Sequence, residues 1–454
     1  MKKFSAVILL AAIFAFSGCA CDEDYATPPD AFESQGTQDT SGDAGTAETS
    51  ETPAETSSDA SSETRDVGDP GLTPVSPSLP ARASSRERSP MSDISSADFV
   101  AAMGPGWNLG NQFDAQQYQG LGFSWLGDGT YAGTSVAQLE TAWVGGTASV
   151  VTQEFIQTVS DAGFEAIRIP VTWNKVAPGP DYIIRDDWME RVYEVVGWAY
   201  DAGMHIVLNT HHENSFNTHE TIHAIGLTDA EVEHSIHILS TWWTQIAGQF
   251  EPFGERLMFA GLNEPRTPRF EWTGGSPEAR ANLNRLNQAF VDAVRATGGN
   301  NESRFLLVPT HAASATLYAF EGFEIPTDSA DDRIIMAIHT YSPFQWAHDG
   351  EGTYGGAHEI RPSIERVAEQ AEILGVSVML TEWGSINNGE EGNLAQREQH
   401  AYDYASIARE FGMAAFWWDN GSANPGTHGF GLFNRATREI THPGIIDAIV
   451  RAYE

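Results

Sequence analysis

The feature that most constrains this chain is an alternation. From Met91 to Glu454, apolar runs of strand length take turns with amphipathic stretches of helix length. The runs are Gly106–Gly110, Ala166–Pro170, His205–Thr210, Leu257–Leu262, Arg304–Pro309, Ile334–His339, Val376–Thr381 and Met413–Trp418. Between them, Asp187–Gly203, Asp229–Phe250 and Asn282–Thr297 repeat their apolar residues at helical spacing. A short run that is apolar throughout suits a strand covered on both faces, and two parallel strands need a long crossover that a helix can supply. Eight such units predict an α/β fold, a (β/α)8 TIM barrel with some long loops. The rival is an open doubly wound sheet. It loses ground because no Gly-rich phosphate loop stands between a strand and a helix, and no repeat of fixed period is visible.

Two zones precede the barrel. Residues 1–18 read as an export signal: Lys2 and Lys3 are followed by a short apolar stretch from Phe4 to Phe16, too short for a stable membrane span. It ends in Phe16-Ser17-Gly18-Cys19, which resembles a bacterial lipoprotein cleavage box, so Cys19 is the expected lipidation site and a membrane surface an expected partner. Residues 19–90 are rich in Ser, Thr, Asp, Glu, Pro and Gly. Such a segment buries too little surface to offset its ordering entropy, and a disordered, extended acidic linker is expected. The folded domain is therefore expected over residues 91–454. The two cysteines, Cys19 and Cys21, both lie ahead of it, so neither a disulfide nor a working thiol is expected inside it.

Charge narrows the function. Lys and Arg number 25 against 62 Asp and Glu, a net charge of −37. A phosphate backbone needs a basic face, so nucleic acid is excluded as an expected partner. Lysine occurs only at positions 2, 3 and 175. An acidic, lysine-poor surface suits high salt, where self-repulsion is screened; a compositional preference for Arg over Lys explains the same counts.

In a barrel of this type, working groups sit where strands end at the C-terminal face. Arg168 follows the second run. The third leads into Asn209-Thr210-His211-His212-Glu213, the fourth into Asn263-Glu264-Pro265-Arg266. His339 and Tyr341 stand at the sixth, Glu382 at the seventh, and Trp417-Trp418-Asp419-Asn420 at the eighth. One carboxylate after a strand is ordinarily a solvated loop residue; six polar strand ends converging on one rim is a site. Two carboxylates in different surroundings suit glycosidic cleavage, one holding a proton and the other ionised. Arg168 near Glu382 would keep that glutamate anionic. Glu264, with only an outward Arg266 for a cation, would be the better proton carrier. The residues alone leave open which glutamate is which, and how far apart they stand. His211-His212-Glu213 lacks the helical HExxH spacing, so no metal is expected. His219, His223, His234 and His237 read as loop and helix-surface residues.

These motifs resemble glycoside hydrolase family 5, the retaining β-glycanases, and in particular its bacterial endoglucanase and xyloglucanase branch. The resemblance covers residues 91–454. GWNLGNQFDA (Gly106–Ala115) is similar to that branch's GWNLGNTLDA, with Gln112 in place of Thr. GFEAIRIPVTW, LNTHHE, GLNEPR, HTYSP, TEWG and WWDNG follow in the family's order. The loop from Gln116 to Ala137 matches no pattern. The resemblance implies that Glu264 is the acid/base and Glu382 the nucleophile. It implies that Asn263 bonds the sugar 2-hydroxyl and that Arg168 and Tyr341 hold Glu382. His211, His212 and His339 would line the cleavage subsite, with His339 near Glu264. Trp418 would stack under the sugar, with Trp417 as the fallback, and Trp346 is a candidate for a neighbouring subsite. It further implies an endo-β-1,4-glucanase acting as a monomer on β-glucan without a cofactor. Xyloglucan, mixed-linkage glucan and mannan are alternative substrates. A surface glucan-binding protein that has lost catalysis is the non-enzymatic alternative; it predicts damage to Glu264, Glu382, Arg168 or Tyr341, all of which are present.

Overall fold

A computed structural model describes residues 86–115, 133–144, 147–212, 225–226, 228–267, 271–426 and 429–454. In chain order come α1 (Ser96–Ala101), β1 (Gly106–Leu109), α2 (Val136–Glu140), α3 (Gln153–Asp161), β2 (Ala166–Ile169), α4 (Asp186–Asp201) and β3 (His205–Asn209). Then follow α5 (Asp229–Phe250), β4 (Leu257–Ala260), α6 (Pro277–Arg295), β5 (Leu306–Ser314), α7 (Leu317–Phe320) and β6 (Ile334–His339). The chain closes with α8 (Phe344–Ala347), α9 (Arg361–Leu374), β7 (Ser377–Trp383), α10 (Asn393–Glu410), β8 (Ala414–Asp419) and α11 (Pro443–Arg451). The strands pair in parallel in chain order, and β1 also pairs β8, which closes the barrel. All eight expected strands are present.

Local signals start the helices where they start. Thr228 caps α5 and Glu231 reaches back to its backbone N–H, a reciprocal pair that satisfies two amides the first turn leaves unpaired. Ser276 caps α6 ahead of Pro277, whose missing N–H costs nothing at that position. Side chains alternate along each strand. Trp107 and Leu109, Ile167 and Ile169, Ile206 and Leu208 pack outward into the helix layer. Ala166, Val207, Met258, Leu307, Ile335, Met379 and Phe416 fill the inside. The same alternation that turns Ala166 inward turns Arg168 inward one step later, at the C-terminal mouth.

The opposite pole is plugged. Phe99, Val100 and Met103, in and just after α1, join the interior cluster, and Phe99 stacks on Phe305 at 4.3 Å. The segment ahead of α1 runs along this pole. Arg86 pairs with Asp201 at 2.8 Å and lies over the rings of Tyr200 and Phe253, while the Ser89 amide donates to the Pro252 carbonyl. Lys175, the only lysine of the described residues, is buried. Its Nζ donates to the carbonyls of Phe113 and Ala115 at 2.8 Å and lies over the Trp188 ring. Every surface cation among the described residues is therefore an arginine or a histidine.

Candidate active site

Seven strand ends, all but that of β5, bring one network together at the C-terminal mouth. Arg168 on β2 is its hub. Its Nη1 donates to Glu382 Oε1 at 2.7 Å and to Asn108 Oδ1 at 2.9 Å; its Nη2 donates to Asn263 Oδ1 at 2.6 Å. Asn108, on β1, is itself fixed by donating to the carbonyls of Thr381, Phe416 and Trp417. The Tyr341 hydroxyl donates to the second oxygen of Glu382 at 3.1 Å. Burial, with the charge of Glu382 next, pushes the Tyr341 phenol well above its ordinary value, so it stays a donor. Glu382 thus has both oxygens engaged and its charge matched by a guanidinium, which compensates an anion only 5% exposed.

The other carboxylate differs. His339 Nδ1 lies 2.8 Å from Glu264 Oε1 and 3.6 Å from Glu382 Oε2, so one imidazole touches both glutamates. Burial raises the Glu264 carboxyl; the hydrogen bond and charge of His339, with Arg266 and His212, outweigh it and bring the carboxyl below its usual range. His339 thus keeps Glu264 in hydrogen-bond contact with a group able to carry a proton. Arg266 is not outward, as the sequence suggested: it is 9% exposed, and its guanidinium lies 3.5 Å over the Trp272 ring. One oxygen of Glu264, one of Glu382 and a nitrogen of His339 all lie within 4.8 Å of one another. Carboxylates this close leave no slot for a water between them, the spacing of retaining chemistry; inverting pairs stand ~6.5–9.5 Å apart.

The wall is aromatic. Trp418 faces the mouth and lies parallel to His211, ring centres 5.6 Å apart. Trp417 points the other way, fully buried, its indole N–H donating to Phe430 O; the bulge did not shift the platform to it. Gly110 lies directly beneath Trp418. A Cβ there would come within 2.6 Å of the indole and 2.9 Å of Asp419 O. Gly110→Ala is therefore expected to tilt Trp418 and raise KM on soluble β-glucan about tenfold while far-UV circular dichroism stays unchanged. An unaltered KM would show that Trp418 does not bear the sugar.

The Cellulase (glycosyl hydrolase family 5) family model matches residues 127–424, well over half of the chain. The chain belongs to glycosyl hydrolase family 5. Its relatives include Endoglucanase A of Ruminococcus albus, 35% identical over 370 residues, covering 79% of this chain and 93% of that protein. Cellulase/esterase CelE of Acetivibrio thermocellus is 38% identical over 370 residues, 80% of this chain; the match spans only 41% of CelE's length. Among solved structures, a GH5-4 broad specificity endoglucanase from Ruminococcus champanellensis with bound cellotriose superposes with a TM-score of 0.71 at 34% identity, covering 80% of this chain and all of that one.

Within this family 5 barrel, the sequence-expected residues Arg168, His211, His212, Asn263, Glu264, His339, Tyr341, Glu382 and Trp418 converge on one mouth. Trp346 does not join them. It is 3% exposed, stacked on Tyr354 and set against His400, so it packs a loop and lines no subsite. His234 and His237 lie against Tyr182 on the helix layer. Cys19, residues 1–85, Glu213, His219, His223 and most of the Gln116–Ala137 loop lie outside the described residues. Three contributors were missed. Asn108 orients Arg168. Asn209 accepts from the Val171 amide through Oδ1 and places its Nδ2 3.1 Å from His211 Nδ1. Asp114 lies buried behind His211 and His212. All three stood in the quoted motifs; only the fold shows whom they face. Asp114, His211 and His212 bring three donor atoms within 4.8 Å, as a metal would require. The closer amide contact of His211, Asn209 Nδ2 at 3.1 Å, takes the lone pair of Nδ1, which favours the tautomer that is protonated on the nitrogen facing Asp114 and disfavours a metal there.

Proposed function

We propose that this chain is a retaining endo-β-1,4-glucanase. Glu382 acts as nucleophile and Glu264 as acid/base. The observation that carries this reading is the pair itself: two carboxylates within 4.8 Å, one clamped by Arg168 and Tyr341, the other in hydrogen-bond contact with His339. Attack by Glu382 on the anomeric carbon forms a glycosyl ester and breaks the bond to the leaving oxygen, which takes the proton from Glu264. Glu264, now anionic, then removes a proton from water; the water oxygen joins the anomeric carbon, the ester breaks and Glu382 returns. Asn263, held by Arg168, offers its amide to the 2-hydroxyl, and Trp418 carries the ring. Substrate is a β-glucan polymer. The names of related proteins, from endoglucanase to a Caldicellulosiruptor lichenase, favour a cleft that accepts both cellulosic and mixed-linkage glucan.

The deciding experiment is reducing-sugar release by the enzyme from carboxymethyl-cellulose, barley β-glucan, xyloglucan and mannan, with proton NMR of the first anomer formed. A β-anomer at the outset supports double displacement; an α-anomer overturns it. No release from any polymer by folded enzyme moves the chain to a binding protein.

Export and anchoring belong to the same reading. Lys2-Lys3, the apolar stretch and Phe16-Ser17-Gly18-Cys19 support a lipid on Cys19, with the acidic residues ahead of Arg86 as tether, since Arg86 and Ser89 already pack on the barrel. Fatty-acid labelling of cells expressing the chain should mark the wild type and not Cys19→Ser; equal labelling would exclude that site.

A further inference from the structure

Asp114 is a buried carboxyl that no side chain holds. No side chain comes within hydrogen-bond distance of either oxygen among the described residues, and only the backbone amides of Asn111 and Asp114 face it, although the side chain is wholly inaccessible. Such groups are rare and ask for a reason. Its surroundings supply one. Oδ2 lies 3.7 Å from His211 Nε2 and 3.9 Å from His212 Nδ1. His212 is already spent: its Nδ1 sits 3.1 Å from the Asp114 main-chain oxygen, and burial holds its imidazole down to about 4, so it is neutral in the working range. His211 is different. Its closer amide contact, Asn209 Nδ2 at 3.1 Å, is to Nδ1, which favours the tautomer with the proton on Nε2. On that side Asn263 Nδ2, at 3.4 Å, is another donor, because Asn263 Oδ1 is taken by Arg168. Asp114 Oδ2 is an acceptor.

We propose that Asp114 is a positioning residue of the glucan cleft: acting through His211, its carboxyl decides whether the Nε2–H of that ring is offered to a sugar hydroxyl at the cleavage subsite or drawn away from it. The role rests on the glucanase reading. It also gives the cleft a dependence on pH. Burial pushes the Asp114 carboxyl up to about 7, against the backbone amides of Asn111 and Asp114 and the charge of Lys175; Glu382 adds to the rise. The groups that face it are Lys175 after β2, His211 and His212 after β3, and Glu382 on β7. Below that pH the neutral carboxyl leaves the Nε2 proton to the sugar. Above it, the carboxylate draws the proton back, and substrate is held less well. The acid/base step on Glu264 is untouched, so the effect falls on KM.

The test is kcat and KM on barley β-glucan between about pH 5 and pH 9, for wild type and Asp114→Asn. KM of the wild type is expected to rise about fivefold or more through neutrality, and that of Asp114→Asn to stay level, while kcat falls at the same pH in both. A wild-type KM that does not rise, or a rise that Asp114→Asn keeps, overturns the proposal. A second measurement needs neither substrate nor variant: ring-nitrogen NMR of histidine-labelled wild type. His211 protonated on Nε2, with a shift step near neutral pH, supports the assignment; a proton on Nδ1 removes it. Because this readout uses free enzyme, failure to cleave β-glucan would count against the substrate and leave Asp114 judged on its own.

Discussion

Replacing Glu382 with alanine is expected to abolish hydrolysis of β-glucan and of activated aryl cellobiosides alike, with kcat down about 100,000-fold or more. The loss is the same for both because the first covalent bond is made by Glu382 whatever the leaving group is. Arg168 would keep only Asn108 and Asn263 as partners for a charge that is 1% exposed, and breaking a buried pair costs about 3–5 kcal/mol. A lower Tm is therefore part of the expectation, and Glu382→Gln, which keeps the volume, separates chemistry from stability. With azide present, the alanine variant should regain turnover on the aryl substrate and release the α-glycosyl azide: the azide nitrogen joins the anomeric carbon from the face Glu382 occupied, as the aryl oxide leaves. Turnover within about tenfold of wild type in Glu382→Ala would show that another group attacks.

Glu264→Gln should behave differently with each leaving group. On β-glucan the departing alkoxide needs a proton, and kcat should fall about 1,000-fold or more. On a dinitrophenyl cellobioside it needs none. The first step should stay fast, the second should stall without a base, and a burst of dinitrophenol equal to the enzyme should appear. Mass spectrometry should then find the glycosyl group on Glu382. Equal slowing of both steps would make Glu264 a purely structural contact of His339, which lies between the two glutamates at 2.8 and 3.6 Å.

Much of this molecule was readable because a barrel is a repetitive object. Apolar runs and amphipathic stretches give its strands and helices, and what hangs from each strand end lands on one rim. The readings strayed where tertiary contacts override local signals. The run ending at Pro309 continues to Ser314 because a bulge carries the chain on, with Ala312 and Ala313 at φ of 56° and 50°; a proline ordinarily ends a strand. Helix α6 begins at Pro277, not Asn282, on the strength of its serine cap and proline start. In the site, the glutamates and Arg168 were legible as types at strand ends. Asn108, Asn209 and Asp114 were not, since their importance lies in which neighbour each faces. Arg266 went wrong for the same reason: Trp272, six residues on, folds back to cover it.

The way the chain enters the barrel has a mechanical meaning. Residues 86–103 run onto the pole opposite the glutamates and are riveted there by Arg86, Ser89 and Phe99. Load and work are therefore assigned to opposite ends of the molecule. A pull on the leading segment, whether from an envelope, a fusion partner or a solid support, is taken up by α1 and the plugged floor. The cleft faces away from whatever does the pulling. Immobilising this enzyme through its leading end should thus leave the polymer path open, whereas coupling through arginines or carboxylates of the rim would close it.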